Sequence, residues 1–340
     1  MEYVKVGDTD IRVSKLCVGC MSFGKAGTMH DWTLDEKQSE KLVNKALELG
    51  INFFDTANCY SLGTSEEYLG RAIRKYAKRE EVVLASKVYF NEGRLSKQAI
   101  RREIDGTLKR LGTDYLDLYI IHRFDYETPV EETMEALDSL VKDGKVRALG
   151  ASAMYGYQFY NMQMAAEKNG FTKFSAMENH YNLLYREDER ELIPICKQMN
   201  VMLMPYSPLA AGHLTRATWQ SDSLRGRTDC VAKGKYDRME ETDIKIVKKV
   251  SELAERHHCK MSQIAIAWEW EKGISSPIIG ATKEQYLEDA AEALSISLSA
   301  DEMQYLEEAY MPHPIVGAID KNPEADVVLL AEKKSATNLK

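Results

Sequence analysis

Four titratable side chains stand at, or just after, the ends of three short apolar runs. Asp55 closes the run Ile51–Asp55, and Tyr60 follows five residues later. Lys87 closes Val82–Lys87, and His122 closes Leu116–His122. Each alone is ordinary: an Asp after a strand often caps a helix, a Lys is usually a solvated charge, and a His is often a satisfied structural group. Brought to one rim, the four would make a proton-donor device. A phenol with its free pKa of about 10 is a poor acid at neutral pH. A neighbouring ammonium favours the phenolate and lowers that pKa. Asp55 behind Lys87 would hold the ammonium, and His122 beside the phenol would orient a bound carbonyl. The chemistry would be proton donation to a developing alkoxide.

Eight apolar or β-branched runs are available to position these groups. Besides the three above they are Lys15–Gly19, Val146–Ala151, Phe174–Glu178, Val201–Pro205 and Pro277–Gly280. Segments with helical spacing lie between them, such as Leu42, Val43, Ala46, Leu47 and Leu49, or Met134, Leu137, Leu140 and Val141. Eight strand–helix alternations favour a closed (β/α)8 TIM barrel over an open sheet. In such a barrel the active face is built from the strand ends and the loops that follow them. The later runs deliver Gly150-Ala151-Ser152, Glu178-Asn179, Tyr206-Ser207 and Gly280-Ala281-Thr282 to that face. Val4, Val6, Ile11 and Val13 flank a polar turn, which predicts an N-terminal β-hairpin plugging the barrel floor. A long polar stretch, Pro208 to Met239, follows the seventh run and reads as a functional loop. Helices are expected over about 242–257 and 262–272. Thr33/Glu36, Thr64/Glu67, Thr282/Gln285 and Ser299/Glu302 have capping-box spacing. Gly50 and Gly144 sit where helices should stop.

Composition narrows the function classes. The 340 residues carry 45 basic and 53 acidic side chains, a net charge of −8. That argues against a nucleic-acid partner, which needs a basic face. No apolar run approaches the roughly 18 residues of a spanning helix, so no membrane partner is expected. The charged N-terminal stretch does not resemble a signal peptide. Six cysteines without an export signal read as reduced thiols in a cytoplasmic protein. Cys17-x-x-Cys20 straddles a strand, and His257-His258-Cys259 lacks a second ligand pair, so no metal is expected.

The stretch from Gly50 through Asp55 and Tyr60 to Gly70 closely resembles the signature of the aldo-keto reductase family. Ala85-Ser-Lys87-Val, Asp117-Leu-Tyr-Ile-Ile-His122-Arg, Gly144-Lys-Val-Arg-Ala-Leu-Gly150-Ala-Ser152 and Tyr206-Ser-Pro-Leu209 match later landmarks in order. The stretch Leu16–Gly24, with Trp32 and Leu34, is similar to a microbial and fungal, aryl-alcohol-dehydrogenase-like branch. The resemblance runs to about Gly317, which suggests one barrel domain over 1–317 and a tail, 318–340, of unassigned role. Val327–Ala331 in that tail is apolar enough to dock on the body or on a partner.

The resemblance implies reversible reduction of a small-molecule aldehyde or ketone, with hydride from NADPH and oxidation by NADP in reverse. Tyr60 would be the general acid, Lys87 would depress its pKa, Asp55 would pair with Lys87, and His122 would hydrogen-bond the substrate oxygen. Cys20 and Met21 would meet the cofactor by backbone, Ser152 and Glu178 would hold the carboxamide, and Tyr206 would stack on the nicotinamide. Ser207, Leu209 and Gly212 would lie near the pyrophosphate. Gly280, Thr282 and Lys283 would take the adenosine 2′-phosphate at a helix start, with Asp289 near the adenine. Ala153, Glu178, Tyr286 and Ala290 depart from the family pattern, which has Gln where Glu178 stands. Trp32, Tyr89 and Arg123 are substrate-side candidates; a salt bridge to Asp125 or Glu127 is the competing role for Arg123. One of Arg216, Arg225 and Arg227 is expected to clamp cofactor phosphates. The rival class is a nicotinamide-sensing regulatory subunit with little turnover.

Overall fold

The computed structural model describes residues 1–316. The tail assigned to 318–340, with its apolar Val327–Ala331, lies outside the described residues. Strands β1 (Tyr3–Lys5) and β2 (Arg12–Ser14) pair antiparallel, with Val4 opposite Val13. Eight further strands follow among the described residues: β3 (Cys17–Gly19), β4 (Phe53–Asp55), β5 (Val83–Val88), β6 (Leu116–Ile121), β7 (Val146–Ser152), β8 (Phe174–Glu178), β9 (Met202–Leu203) and β10 (Ile278–Gly280). They lie parallel in chain order, with β10 beside β3. The ring closes where Ile278 N donates to the Pro205 carbonyl (2.9 Å) and Ser275 and Ser276 N donate to Leu203 O. All eight runs read from the sequence are strands of this one sheet.

The helices α1 (Glu36–Glu48), α2 (Thr64–Tyr76), α3 (Lys97–Leu111), α4 (Val130–Lys142), α5 (Gly156–Asn169) and α6 (Leu192–Gln198) follow β3 to β8 in turn. After β9 come α7 (Leu224–Thr228), α8 (Cys230–Tyr236), α9 (Glu240–Arg256) and α10 (Met261–Glu271); α11 (Glu284–Glu292) and α12 (Ala300–Glu307) follow β10. The stretch read as a continuous loop thus contains α7 and α8. Helices of one or two turns are too short to impose a visible hydrophobic period.

Strand alternation separates two cores. Phe53, Ala85, Leu118, Ile120, Ala148, Ala176, Met204 and Ile278 face inward, and Val6, Ile11 and Val13 of the hairpin pack beneath them. Phe54, Leu84, Tyr119, Ile121 and Leu149 face outward against the helices, where Leu42, Val43, Ala46, Met134, Leu137 and Leu140 meet them. Side chains on a strand repeat every two residues. Two steps beyond Phe53, Ala85 and Ile120 are Asp55, Lys87 and His122. Two steps beyond Gly150, Ala176 and Met204 are Ser152, Glu178 and Tyr206. The chemically active side chains are therefore the uppermost inward layer of the barrel.

Three of the four expected capping boxes are absent. α1 is capped by Asp35, whose side chain accepts from Gln38 N (2.8 Å), two residues past Thr33. α2 begins at Thr64 itself behind Gly63 (φ +89°), so the Thr64 hydroxyl lies inside the helix and donates to Ser61 O (2.8 Å). α11 begins after Lys283, one residue beyond Thr282. Ser299 and Glu302 do form the reciprocal box at α12. Gly50 (φ +77°) and Gly144 (φ +73°) end α1 and α4 in the left-handed conformation that favours glycine.

Glu269 of α10 is fully buried, and neither carboxyl oxygen has a hydrogen-bond partner among the described residues. Burial holds its carboxyl well above the usual range. A carboxyl whose folded pKa is raised contributes its stability below the unfolded pKa and loses it as pH rises through the folded value. Glu269→Met should therefore stabilise the fold by about 1–3 kcal/mol near neutral pH. The gain should be larger at about pH 8 than at about pH 5. Urea unfolding at both pH values checks this, and an equal gain at each would contradict a buried, ionisable Glu269.

Candidate active site

The turn after β4 sets Tyr60. Asp55 ends the strand, and Thr56 N donates to the Ala85 carbonyl (3.0 Å), carrying the pairing with β5 one residue further. Ser61 (φ +47°), Leu62 (φ +56°) and Gly63 (φ +89°) are then left-handed in succession. Each non-glycine residue in that region costs on the order of 1 kcal/mol, and such strain concentrates at functional sites. Gly24 is what lets this turn pack: a Cβ there would come within 2.3 Å of Ser61 Cβ. Tyr60 is held at the rim with 7% of its surface exposed.

Lys87, fully buried on β5, reaches beneath it. Its ammonium donates to Asp55 Oδ2 (2.5 Å) and to the Thr56 carbonyl (2.9 Å). A second carboxylate, Glu178 Oε2, lies 3.3 Å from the same nitrogen but without hydrogen-bond geometry. Lys87 Nζ is 5.1 Å from the centre of the Tyr60 ring. Burial opposes a charged lysine, yet Asp55, Glu178 and Tyr60 together hold its pKa well above the usual value. Burial also drives the Tyr60 phenol far above its ordinary range, and the Lys87 charge pulls it back only in part. The expected depression by Lys87 is present as an effect but is outweighed by desolvation.

His122 completes the group from the end of β6. Its ring meets Tyr60 edge-on at 5.8 Å, and Nδ1 lies 3.9 Å from Cys59 Sγ. Burial, then the Lys87 and Arg123 charges, push its pKa well below normal, so the imidazole is neutral at physiological pH. A neutral imidazole keeps one N–H donor. Burial likewise raises the Cys59 thiol to about 11.

Phe90 packs edge-on against His122 (5.0 Å) and against Tyr89 (5.1 Å), and Arg123 lies over the Phe90 ring at 4.7 Å. The salt bridge anticipated for Arg123 is not formed. Asp125 and Glu127 pair instead with Arg94, at 3.7 and 2.8 Å. Among the described residues Arg123 has no carboxylate within salt-bridge distance. Trp32 is buried between His30, stacked at 4.5 Å, and Arg225, 4.4 Å above its ring.

Around the rest of the rim, Ser152 stands opposite Glu178 in the β7–β8 register, and both are buried. Ala153 is left-handed (φ +46°) immediately after Ser152. Asn179 donates to Asp188 (3.0 Å), but its side-chain oxygen Oδ1 is buried without a partner among the described residues. Tyr206 stacks on His180 (5.2 Å, 5° between planes), and His180 stacks on Tyr185 (4.3 Å). Lys235 of α8 lies 4.6 Å from the centre of the Tyr206 ring. Tyr236 clips α8 to this stack through His180 Nε2 (2.8 Å) and by accepting from Asn182 Nδ2 (3.1 Å). Cys20 and Met21 occupy the turn after β3, where the Cys20 carbonyl accepts from Ser65 (2.7 Å). Ser207 (φ +60°), Ala210 (+46°), Ala211 (+53°) and Gly212 (+96°) form a second left-handed cluster, with Leu209 half-buried among them.

Other candidates are differently placed. Gly280, Thr282 and Lys283 are exposed ahead of α11. Asp289 Oδ1 accepts from both Lys260 (2.6 Å) and Gln285 (2.9 Å), so this side chain braces α11. Arg216 is spent on its own loop, donating to the Gly212 (2.5 Å) and Trp219 (2.7 Å) carbonyls. Arg225 pairs with Asp229 (3.1 Å), which leaves exposed Arg227 as the uncommitted arginine of the three. Phe90, Lys235 and Tyr236 escaped the sequence reading. Lys235-Tyr236 lies in a polar stretch whose short helix leaves no periodic signal.

The model of the Aldo/keto reductase family matches residues 15–311. The chain belongs to this family. Its matched segment covers the barrel from just before β3 to beyond α12. A Schizosaccharomyces pombe protein provisionally named an aryl-alcohol dehydrogenase is 41% identical over 93% of this chain and 98% of its own. The versiconal hemiacetal acetate reductase of Aspergillus parasiticus is 39% identical, again over 93% of this chain and 98% of its own. An aldo-keto reductase of Fusarium vanettenii is 40% identical over 93% of both. This aldo/keto reductase therefore sits among fungal oxidoreductases, and its family generally uses nicotinamide cofactors. No helix of the described residues is long and apolar enough to cross a membrane.

Proposed function

We propose that this chain reduces an aldehyde or ketone to the alcohol with NADPH, and runs the reverse reaction with NADP. The observation that carries this reading is the buried Asp55–Lys87 pair set beneath Tyr60 with neutral His122 alongside. Tyr60 Oη donates its proton to the carbonyl oxygen as negative charge develops there. The Lys87 ammonium stabilises the phenolate left behind, and Asp55 keeps that ammonium in place. The His122 N–H holds the carbonyl oxygen in line. When bound, the cofactor supplies the hydride.

The residues present fit a nicotinamide cofactor. Ser152 offers a hydroxyl, and the unpartnered buried oxygens of Asn179 and Glu178 offer acceptors, which together suit a carboxamide. Tyr206 offers a stacking ring. The left-handed backbone at Ser207 and at Ala210 to Gly212 suits close approach of a pyrophosphate. Cys20 and Met21 border the same rim. Phe90, Tyr89 and Trp32 supply aromatic surface for a flat substrate, in keeping with the aryl-alcohol name of one relative.

NADPH rather than NADH is expected because exposed Gly280, Thr282 and Lys283 precede α11, offering free N–H groups and a cation to a 2′-phosphate. Binding titrations of the two cofactors by quenching of protein fluorescence test this. Tighter binding of NADPH by about tenfold or more, or roughly 1.4 kcal/mol, is expected. Equal affinities would remove the phosphate role of Lys283.

A further inference from the structure

The Lys87 ammonium has three N–H donors. Two are taken by Asp55 and by the Thr56 carbonyl. The third has two claimants: Glu178, 3.3 Å away on β8, and the Tyr60 phenol, whose ring centre is 5.1 Å away. Among the described residues no hydrogen bond joins Lys87 to the Tyr60 hydroxyl, and Glu178 Oε2 has no hydrogen bond at all. One buried cation thus faces two carboxylates and a phenol. A carboxylate at Glu178 cancels part of the positive potential that Tyr60 feels and draws the third N–H toward β8. A neutral amide of the same shape would do neither to the same degree.

We propose that Glu178 is a positioning residue for proton transfer: by competing with Tyr60 for Lys87, it keeps the phenol a proton donor to higher pH and so extends the alkaline range of carbonyl reduction. This rests on the reading of Tyr60 as the acid. In that reaction a hydride adds to the carbonyl carbon and the Tyr60 proton to its oxygen. A C–H and an O–H bond form while the C=O π bond, the hydride-bearing C–H bond of NADPH and the Tyr60 O–H bond break; NADPH is oxidised to NADP, the carbonyl is reduced, and the phenolate is re-protonated from solvent.

The electrostatics point the same way. After burial, the influences on Tyr60 are Lys87 lowering its pKa and then Asp55 and Glu178 raising it. Burial and then Asp55 push the Glu178 carboxyl up to about 8. Glu178 therefore gains its charge before Tyr60, held higher by burial, begins to lose its proton. The other titratable groups facing this cluster are Cys17 and Cys20 from β3 and its turn, Cys59 beside Tyr60, His122 beyond β6 and Tyr206 beyond β9. Burial holds all four of those thiol and phenol groups that carry a raised pKa, namely Cys17, Cys20, Cys59 and Tyr206, neutral at physiological pH, and His122 is neutral as well. The charge acting on Tyr60 is set by Lys87 and Asp55, joined by Glu178 as it ionises around pH 8.

The test compares the full-length wild type with Glu178→Gln, Glu178→Met and Glu178→Asp. Single-turnover reduction of an aromatic aldehyde by NADPH is followed from about pH 6 to about pH 11. In parallel, tyrosine labelled with carbon-13 at Cζ reports Tyr60 ionisation by NMR without cofactor, with Tyr60→Phe assigning the resonance. In the Gln and Met variants the alkaline loss of reduction should begin about one pH unit lower, a tenfold higher phenolate-to-phenol ratio at a given pH. Glu178→Asp, which keeps the charge, should stay nearer the wild type. Neutral variants that hold their rate over the wild-type pH range, with unchanged Tyr60 ionisation, overturn the proposal. So does an effect confined to cofactor affinity, which would make Glu178 a carboxamide contact only. If the wild type itself does not turn over, the reading of Tyr60 as the acid fails, and the NMR comparison alone decides whether Glu178 governs Tyr60. Two neutral variants are used so that poor folding of one leaves the comparison intact.

Discussion

Tyr60→Phe should reduce carbonyl turnover by about 10²- to 10⁴-fold while leaving NADPH affinity near that of the wild type. The change removes one hydroxyl and no ring. The phenyl group can still lie over Lys87 and meet His122 edge-on, so the Asp55–Lys87 pair and the rim around it keep their packing. What disappears is the hydroxyl proton held between the ammonium and neutral His122. Steady-state loss of NADPH absorbance gives the turnover, and fluorescence titration gives the affinity. A variant within about twofold of the wild type in turnover would mean that water or His122 delivers the proton, and the role assigned to Tyr60 would be wrong.

Lys87→Met should be as damaging to turnover and, unlike the tyrosine change, damaging to the fold. Lys87 is fully buried between two carboxylates, and removing one partner of a buried ion pair costs about 3–5 kcal/mol because the other charge is left uncompensated. The sign of its pH dependence follows from Glu178. The folded pKa of that carboxyl, about 8, is already above its unfolded value. Its contribution to stability is therefore present at acid pH and lost as pH rises toward 8. Without the cation the folded pKa rises further, so the penalty of Lys87→Met should grow between about pH 5 and about pH 8. Urea unfolding at the two pH values measures this. A variant as stable as the wild type at the higher pH would show that Lys87 does not neutralise these carboxylates.

The strands were legible because a barrel strand is buried on both faces and reads as a near-continuous apolar run, as in Leu116–Ile121, where Asp117 is the one charged residue. Once the runs are aligned, the two-residue period alone brings Asp55, Lys87 and His122 to one layer. Details that hinge on a single residue were not legible. Thr33 and Thr64 have capping-box spacing, but their helices begin at Glu36 and at Thr64 itself, so the hydroxyls miss the cap. Contacts between distant segments were hidden for a different reason. Arg123 has acidic neighbours in sequence, yet Arg94 reaches them first from the loop after β5. Glu178 meets Lys87 across the inside of the barrel, from β8 to β5, a juxtaposition fixed by closure of the ring. Its departure from the family pattern was visible in the sequence; its partner was not. The α8 clip, in which Tyr236 holds His180 behind Tyr206, likewise joins segments 56 residues apart.

The most direct measurement is a single turnover of the wild-type chain with NADPH deuterated at the transferring position of C4 and an aromatic aldehyde. Absorbance is followed in the stopped flow, and the product is analysed by mass. The expected result is loss of cofactor absorbance matching the enzyme concentration, with one deuterium on the carbinol carbon of the alcohol. Tight cofactor binding with no loss of absorbance and no labelled alcohol, across a panel of aldehydes and ketones, would contradict the reductase reading and favour a subunit that senses the cofactor without turning it over.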